Sequence, residues 1–180
     1  MLMTRKREFR RVRALGGLFV LSGLAALLAA HGAERFLHMV PCELCLWERR
    51  PWRVLISLGA LTLVLSPRYA RWPVIGGLVC LAISVGLSVL HIGVEHNFWP
   101  SPAPSCHVTV THAEKVSDWL SRLPAAPVKP CDQPDFPFGL PMSMVTISGL
   151  YTLVIFLAAL KMTVRIFRRV NRDQKREYQS

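Results

Sequence analysis

The sequence predicts an all-α membrane protein, a four-transmembrane-helix up-down bundle with two non-cytoplasmic loops, built as a single integral-membrane domain over residues 1–180. Three observations predict it. First, 52% of the residues are hydrophobic and 18% charged, and the apolar ones gather in blocks. Second, residues 14–33, 72–94 and 136–160 are free of Asp, Glu, Lys and Arg over 20, 23 and 25 positions. Each is long enough to cross a hydrocarbon core as a helix, which takes about 20 residues. Third, the net charge of +11 sits beside those blocks: residues 1–13, 66–73 and 161–180 together carry +12, and the rest of the chain −1. Cations collected in this way follow the positive-inside rule, which puts both termini and the 66–73 turn in the cytoplasm. The same placement argues against a nucleic-acid-binding surface.

Helix 1, about 14–33, follows a basic tail. It is longer than the apolar core of a signal peptide, and His31, Glu34 and Arg35 end it, so an uncleaved first span is expected. Outer loop 1 covers 34–51. Helix 2, about 52–65, is the short one, because its charge-free run, 54–67, has only 14 residues. Sidedness decides its reading: with three spans, the basic 66–73 segment would join stretches that begin and end outside. Arg50 and Arg53 can snorkel to the interface and Trp52 suits the headgroup belt, so the helix borrows length from its flanks. An inner turn, 66–73, leads to helix 3, about 74–94. Outer loop 2 runs over about 95–140, and helix 4, about 141–160, ends in a second basic tail.

Outer loop 2 has texture. Residues 99–104 alternate with proline and read as extended. Ala113, Val116, Trp119, Leu120 and Leu123 recur at helical spacing, so 110–123 reads as a short helix lying on the membrane or packed on the protein. Residues 124–137 hold five prolines without periodicity.

The chemistry lies in the cysteines. Of five, Cys80 falls in the middle of helix 3 and reads as a packing residue. Cys42, Cys45, Cys106 and Cys131 all fall in outer loops, on the face where disulfides persist. Cys42-Glu43-Leu44-Cys45 suits zinc or redox chemistry; zinc would want a second tight pair, which Cys106 and Cys131 are not, so no metal site is expected. Two disulfides that merely pin loops are the plainer alternative. That reading has weight for Cys106 and Cys131, but a two-residue spacer closes a loop too small to constrain the unfolded chain much. Arg49 lies four residues after Cys45. If a helix has begun by Cys45, the two side chains share a face, and the guanidinium and helix N-terminus both stabilise a thiolate. Glu48 opposes this unless it turns elsewhere. Arg50 and Arg53 read as interfacial anchors.

The six histidines, His31, His38, His91, His96, His107 and His112, all fall outside the spans or near their outer ends. His91 and Glu95 are one turn apart, and His96 adjoins Glu95, an arrangement able to handle protons. Two thiol pairs on one membrane face suggest a relay, in which the 106/131 pair meets a soluble protein and the 42/45 pair meets a lipid-soluble oxidant such as a quinone.

With these residues in view, the chain resembles the DsbB family, bacterial disulfide bond formation protein B, over nearly its whole length. Pro41-Cys42-Glu43-Leu44-Cys45 followed by Trp47-Glu48-Arg49, the two loop-2 cysteines, Cys131-Asp132 and Phe138-Gly139-Leu140 carry the likeness. His91-Ile92-Gly93-Val94-Glu95 and Trp99-Pro100 look like an alphaproteobacterial-type branch. The resemblance implies reoxidation of DsbA, a periplasmic thioredoxin-fold oxidase, from the inner membrane, with ubiquinone, or menaquinone, as acceptor. It further implies that Cys106 forms the mixed disulfide with DsbA, that Cys131 resolves toward Cys42, and that Cys45 contacts the quinone with Arg49 beside it. The outer end of helix 3, from His91 to His96, would border the quinone. Other readings are a paralogue serving a dedicated partner, a haem or metal protein of the membrane, and a non-enzymatic scaffold with stapling disulfides.

Overall fold

The computed structural model describes residues 2–103, 106, 129–139 and 141–179. Among the described residues all regular structure is helical: α1 (Leu2–Phe36), α2 (Glu43–Val64), α3 (Pro67–Glu95), a 3-10 turn at Pro137–Gly139, and α4 (Met144–Gln179). The predicted 110–123 helix, His107 and His112 lie outside the described residues.

Among the described residues, three helices contain stretches long and apolar enough to cross a membrane: Phe9–Phe36, Tyr69–Glu95 and Met144–Arg168. Their outward faces carry the apolar side chains that water would leave unburied, among them Leu21, Leu28, Val79, Ile83, Val154 and Leu157. α2 has the length but carries Glu48, Arg49, Arg50 and Arg53 in its first half. It packs along both α1 and α3.

The helices outrun the predicted spans, and each difference has a local cause. α2 starts at Glu43 rather than near residue 52, because extended Cys42 caps it: its Sγ accepts the Cys45 N–H at 3.1 Å. Pro51 is carried inside that helix, leaving the Trp47 carbonyl without its usual helical donor. The expected 66–73 turn shrinks to the residues before Pro67, since extended Ser66 and a proline at the first helical position start α3 at once. α4 begins at Met144 rather than about 141, where Ser143 Oγ accepts the Thr146 N–H at 3.2 Å. α1 and α4 continue into the basic tails.

Leu15, Phe19, Trp52, Leu55, Val74, Leu81 and Ala159 form the main core. α1 and α2 cross where neither has a side chain: a Cβ on Gly59 would lie 2.9 Å from the Gly16 carbonyl oxygen, so the two backbones meet as closely as small residues permit. Tyr151 ties α4 to α1 through its hydroxyl, which donates to the Ser22 carbonyl at 2.9 Å, and its ring lies 5.6 Å from that of Trp52.

α3 ends in a Schellman motif. Asn97 takes a left-handed φ of 57°, its N–H reaches the Val94 carbonyl at 3.1 Å, and the Phe98 N–H reaches Gly93 at 2.8 Å. The reversal lays Trp99 back on the helix, with Nε1–H donating to the Leu90 carbonyl at 3.0 Å. The indole occupies the space of a missing side chain: a Cβ on Gly93 would be 1.9 Å from it.

Candidate redox site

Four helix ends meet at one cavity of about 370 Å³. Its walls come from the C-terminal part of α1, the first turns of α2, the end of α3, the start of α4 and the 129–135 segment. α1 and α3 therefore run toward it, and α2 and α4 away. The α1 wall is a run of alanines, Ala25, Ala26, Ala29, Ala30 and Ala33, which leaves room that larger side chains would fill.

All four loop cysteines are at this end. Cys42 and Cys45 form one disulfide, and Cys106 and Cys131 the other, each with Cα atoms 5.1 Å apart. Cys42, Cys106 and Cys131 belong to one buried cluster with Leu44, Val94 and Ala103, and Cys45 packs against it. Cys42, Cys45 and Cys131 line the cavity. Cys80 is free and half-buried in α3, packed against the main core as a small apolar residue.

Arg49 lies one turn beyond Cys45 on α2, as the spacing predicted, and both line the cavity. Its guanidinium is paired with Glu34 at the end of α1, at 2.6 Å, with side chains only 12% and 28% exposed. Glu48 turns away from the guanidinium to His91: His91 Nδ1 lies 3.3 Å from its carboxylate. His91 is 2% exposed, and its Nε2 lies 3.5 Å from Cys42 Sγ. A carboxylate only accepts, so Nδ1 carries a proton and Nε2 is the nitrogen left to face the sulfur. Glu95, one turn on, is buried and accepts from Ser143 Oγ at 2.9 Å.

His96, which sequence reasoning grouped with His91, ends α3 with an exposed ring packed on Phe98, and it is not among the residues lining the cavity. His31 is exposed and bonds its own helix at Leu27, and His38 occupies the left-handed turn after α1. Among the described residues His91 is thus the histidine brought to the sulfurs. Sequence reasoning did not assign Glu34, Trp52, Ser143 or Tyr151 to the site. Only Glu34 carried a signal, as the first charge after a span-length apolar run.

Cys42, Cys45 and His91 place three possible metal-binding atoms within 4.8 Å of one another. A metal would need both sulfurs as thiolates, and here they are joined to each other. The arrangement suits thiol–disulfide exchange: two disulfides side by side, one at a helix N-terminus with ionisable neighbours.

Comparison with known proteins agrees. A family model described as "Disulfide bond formation protein DsbB" matches residues 12–162. The chain is 30% identical over 115 residues to "Disulfide bond formation protein B" of Dechloromonas aromatica (strain RCB), covering 61% of this chain and 65% of that one. It is 26% identical over 149 residues to "Uncharacterized protein RP370" of Rickettsia prowazekii (strain Madrid E), covering 82% and 86%, a relative that fits the alphaproteobacterial branch. No solved structure matches the chain. With the family match covering most of its length and its four loop cysteines paired at one end of a helical membrane protein, the chain belongs to the DsbB family of disulfide bond formation proteins.

Proposed function

We propose that this chain is a quinone-dependent thiol oxidase of the bacterial inner membrane, which reoxidises a periplasmic DsbA-type protein. Electrons pass from DsbA through Cys106/Cys131 and Cys42/Cys45 to ubiquinone, with menaquinone as the alternative acceptor. The carrying observation is that Cys45 and Cys131, one from each disulfide, line one cavity.

A reduced DsbA thiolate attacks Cys106 and forms a mixed disulfide, from which Cys131 leaves. A second DsbA thiolate releases the oxidised protein. Cys131 then attacks Cys42 and Cys45 leaves as a thiolate; Cys106 next attacks Cys131, which restores their disulfide and releases Cys42, so that the pair at the helix N-terminus stands reduced. Positive charge on Arg49 and the dipole of α2 stabilise that anion.

The cavity suits a quinone head group: its volume lies within the range of small-molecule sites, its α1 wall is apolar apart from Glu34, and Cys45, Arg49 and His91 supply a few polar groups. A bound quinone supplies an acceptor for two electrons and two protons. Cys45 and Arg49 would hold it, with His91 at the border. His96, set outside the cavity lining, has its role at the membrane interface in this reading.

In the membrane, the three apolar helices and α2 act as four spans. Residues 54–64 of α2 are charge-free and its charged first turns stand at the periplasmic rim. Both termini are cytoplasmic and the four cysteines periplasmic, as the basic flanks require. Purified protein in lipid should oxidise reduced DsbA only when ubiquinone or menaquinone is supplied. Absence of turnover with both overturns the proposal, as does labelling of Cys42 and Cys106 from opposite membrane faces.

A further inference from the structure

We propose that His91 is a catalytic acid–base residue of the Cys42–Cys45 couple, its imidazole exchanging a proton with Cys42 Sγ while Glu48 holds it in position. Three observations carry this. His91 Nε2 is 3.5 Å from Cys42 Sγ although 49 residues separate them. Both are nearly sealed, at 2% and 4% exposure. The other ring nitrogen is committed to Glu48 at 3.3 Å, which fixes the tautomer and aims Nε2 at the sulfur. Both ring nitrogens therefore face side chains, a carboxylate on one side and the Cys42 sulfur on the other. A closed disulfide carries no proton, so the contact acquires its use when the bond opens.

The step balances as follows. The reduced couple, with Cys45 as thiolate, holds two electrons and one proton, which Cys42 Sγ has given to His91 Nε2. On reclosure, Cys42 Sγ bonds to Cys45 Sγ, and an electron pair leaves Cys45 for the two-electron acceptor. The proton held by His91 Nε2 passes to the reduced acceptor or to water. On opening, the proton returns from the donor dithiol to the Cys42–His91 pair, and the donor's second proton goes to solvent. Glu48 is a positioning residue. The titratable and charged groups that share the cavity with His91 are Glu48 and Arg49 from α2, Glu34 from α1, Glu95 of α3, the Lys129–Asp135 pair and the Tyr151 phenol of α4.

The inference deepens the oxidase reading, but its test uses neither quinone nor DsbA. The reduced full-length protein in lipid nanodiscs is alkylated with iodoacetamide across a pH series, and Cys42 is followed by mass spectrometry. The midpoint reports the thiolate fraction of Cys42 and, unlike the absolute rate, is not set by how easily the reagent reaches the sulfur. Wild-type Cys42 should titrate below the ordinary thiol value of about 8.5. His91→Gln should move the midpoint back up, slowing alkylation at neutral pH about tenfold through loss of thiolate. Glu48→Gln should move it part of the way, and Glu48→Asp should restore it. Superimposed wild-type and His91→Gln profiles overturn the proposal. Should His91→Gln fail to fold, histidine nitrogen NMR of the wild type decides. The His91 ring should be an imidazolium near neutral pH when the couple is reduced and neutral when it is closed; an unchanged ring overturns the proposal.

Discussion

The two disulfides have the same Cα separation and opposite constructions. Cys42 and Cys45 are three residues apart on the start of one helix, and ionisable side chains from three helices surround them. Cys106 and Cys131 are 25 residues apart, and burial against Val94, Ala103 and Leu44 brings them together. On the loop-closure account, the long pair removes about 3.5 kcal/mol of unfolded-chain entropy and the short one about 2 kcal/mol. The long pair is the better staple and the short pair the better tuned couple. Tuning needs charges held at fixed positions, which a helix start provides; joining distant loops needs only a shared apolar pocket.

The contrast can be broken most severely by removing one sulfur from each pair. Cys45→Ser should abolish quinone reduction by any donor, at least ~10³-fold, because the couple cannot close. Cys106→Ser should lose DsbA-driven turnover by a similar factor yet keep reduction of quinone by dithiothreitol. Equal loss in both variants with both donors would mean that the pairs act as one unit. Next in size is Arg49→Ala, expected to raise the quinone KM about tenfold while leaving DsbA docking unchanged, as steady-state kinetics and a docking assay would report. Equal loss in both would remove Arg49 from the quinone side and return it to anchoring α1 through Glu34.

A smaller effect tests how the long pair is held. Gly93→Ala would drive a methyl into Trp99, which packs over the α3 end that leads to Ala103. Thermal unfolding should show a loss of about 1–3 kcal/mol, and Cys106 should become more accessible to alkylation after reduction. The smallest effect is expected at Cys80. Cys80→Ala should change stability by less than about 1 kcal/mol and leave oxidase activity intact, because the thiol is half-buried and outside the cavity lining.

The two constructions also differ in how far the sequence exposes them. The Cys-x-x-Cys spacing, Arg49 one turn on and the basic flanks are local patterns, legible without a fold. The start of α2 is hidden in the sequence because Glu48, Arg49, Arg50, Pro51 and Arg53 interrupt the apolar run that signals a span. The helix forms through them because its N-terminus is capped by Cys42 and its side chains find partners on α1 and α3. The grouping of His96 with His91 followed sequence adjacency. One residue beyond Glu95, at the helix end, the side chain faces another direction.

Local chemistry alone therefore determined the helical class, the apolar stretches, the placement of charge and which residues are thiols, since hydropathy, charge and spacing act over one or two turns. Tertiary structure decided which thiols pair, that Glu34 engages Arg49, and that Glu48 and His91 converge on Cys42. Those choices depend on contacts between residues 15 to 49 positions apart in sequence, and only the packing of four helix ends around a shared cavity brings such residues within bonding distance.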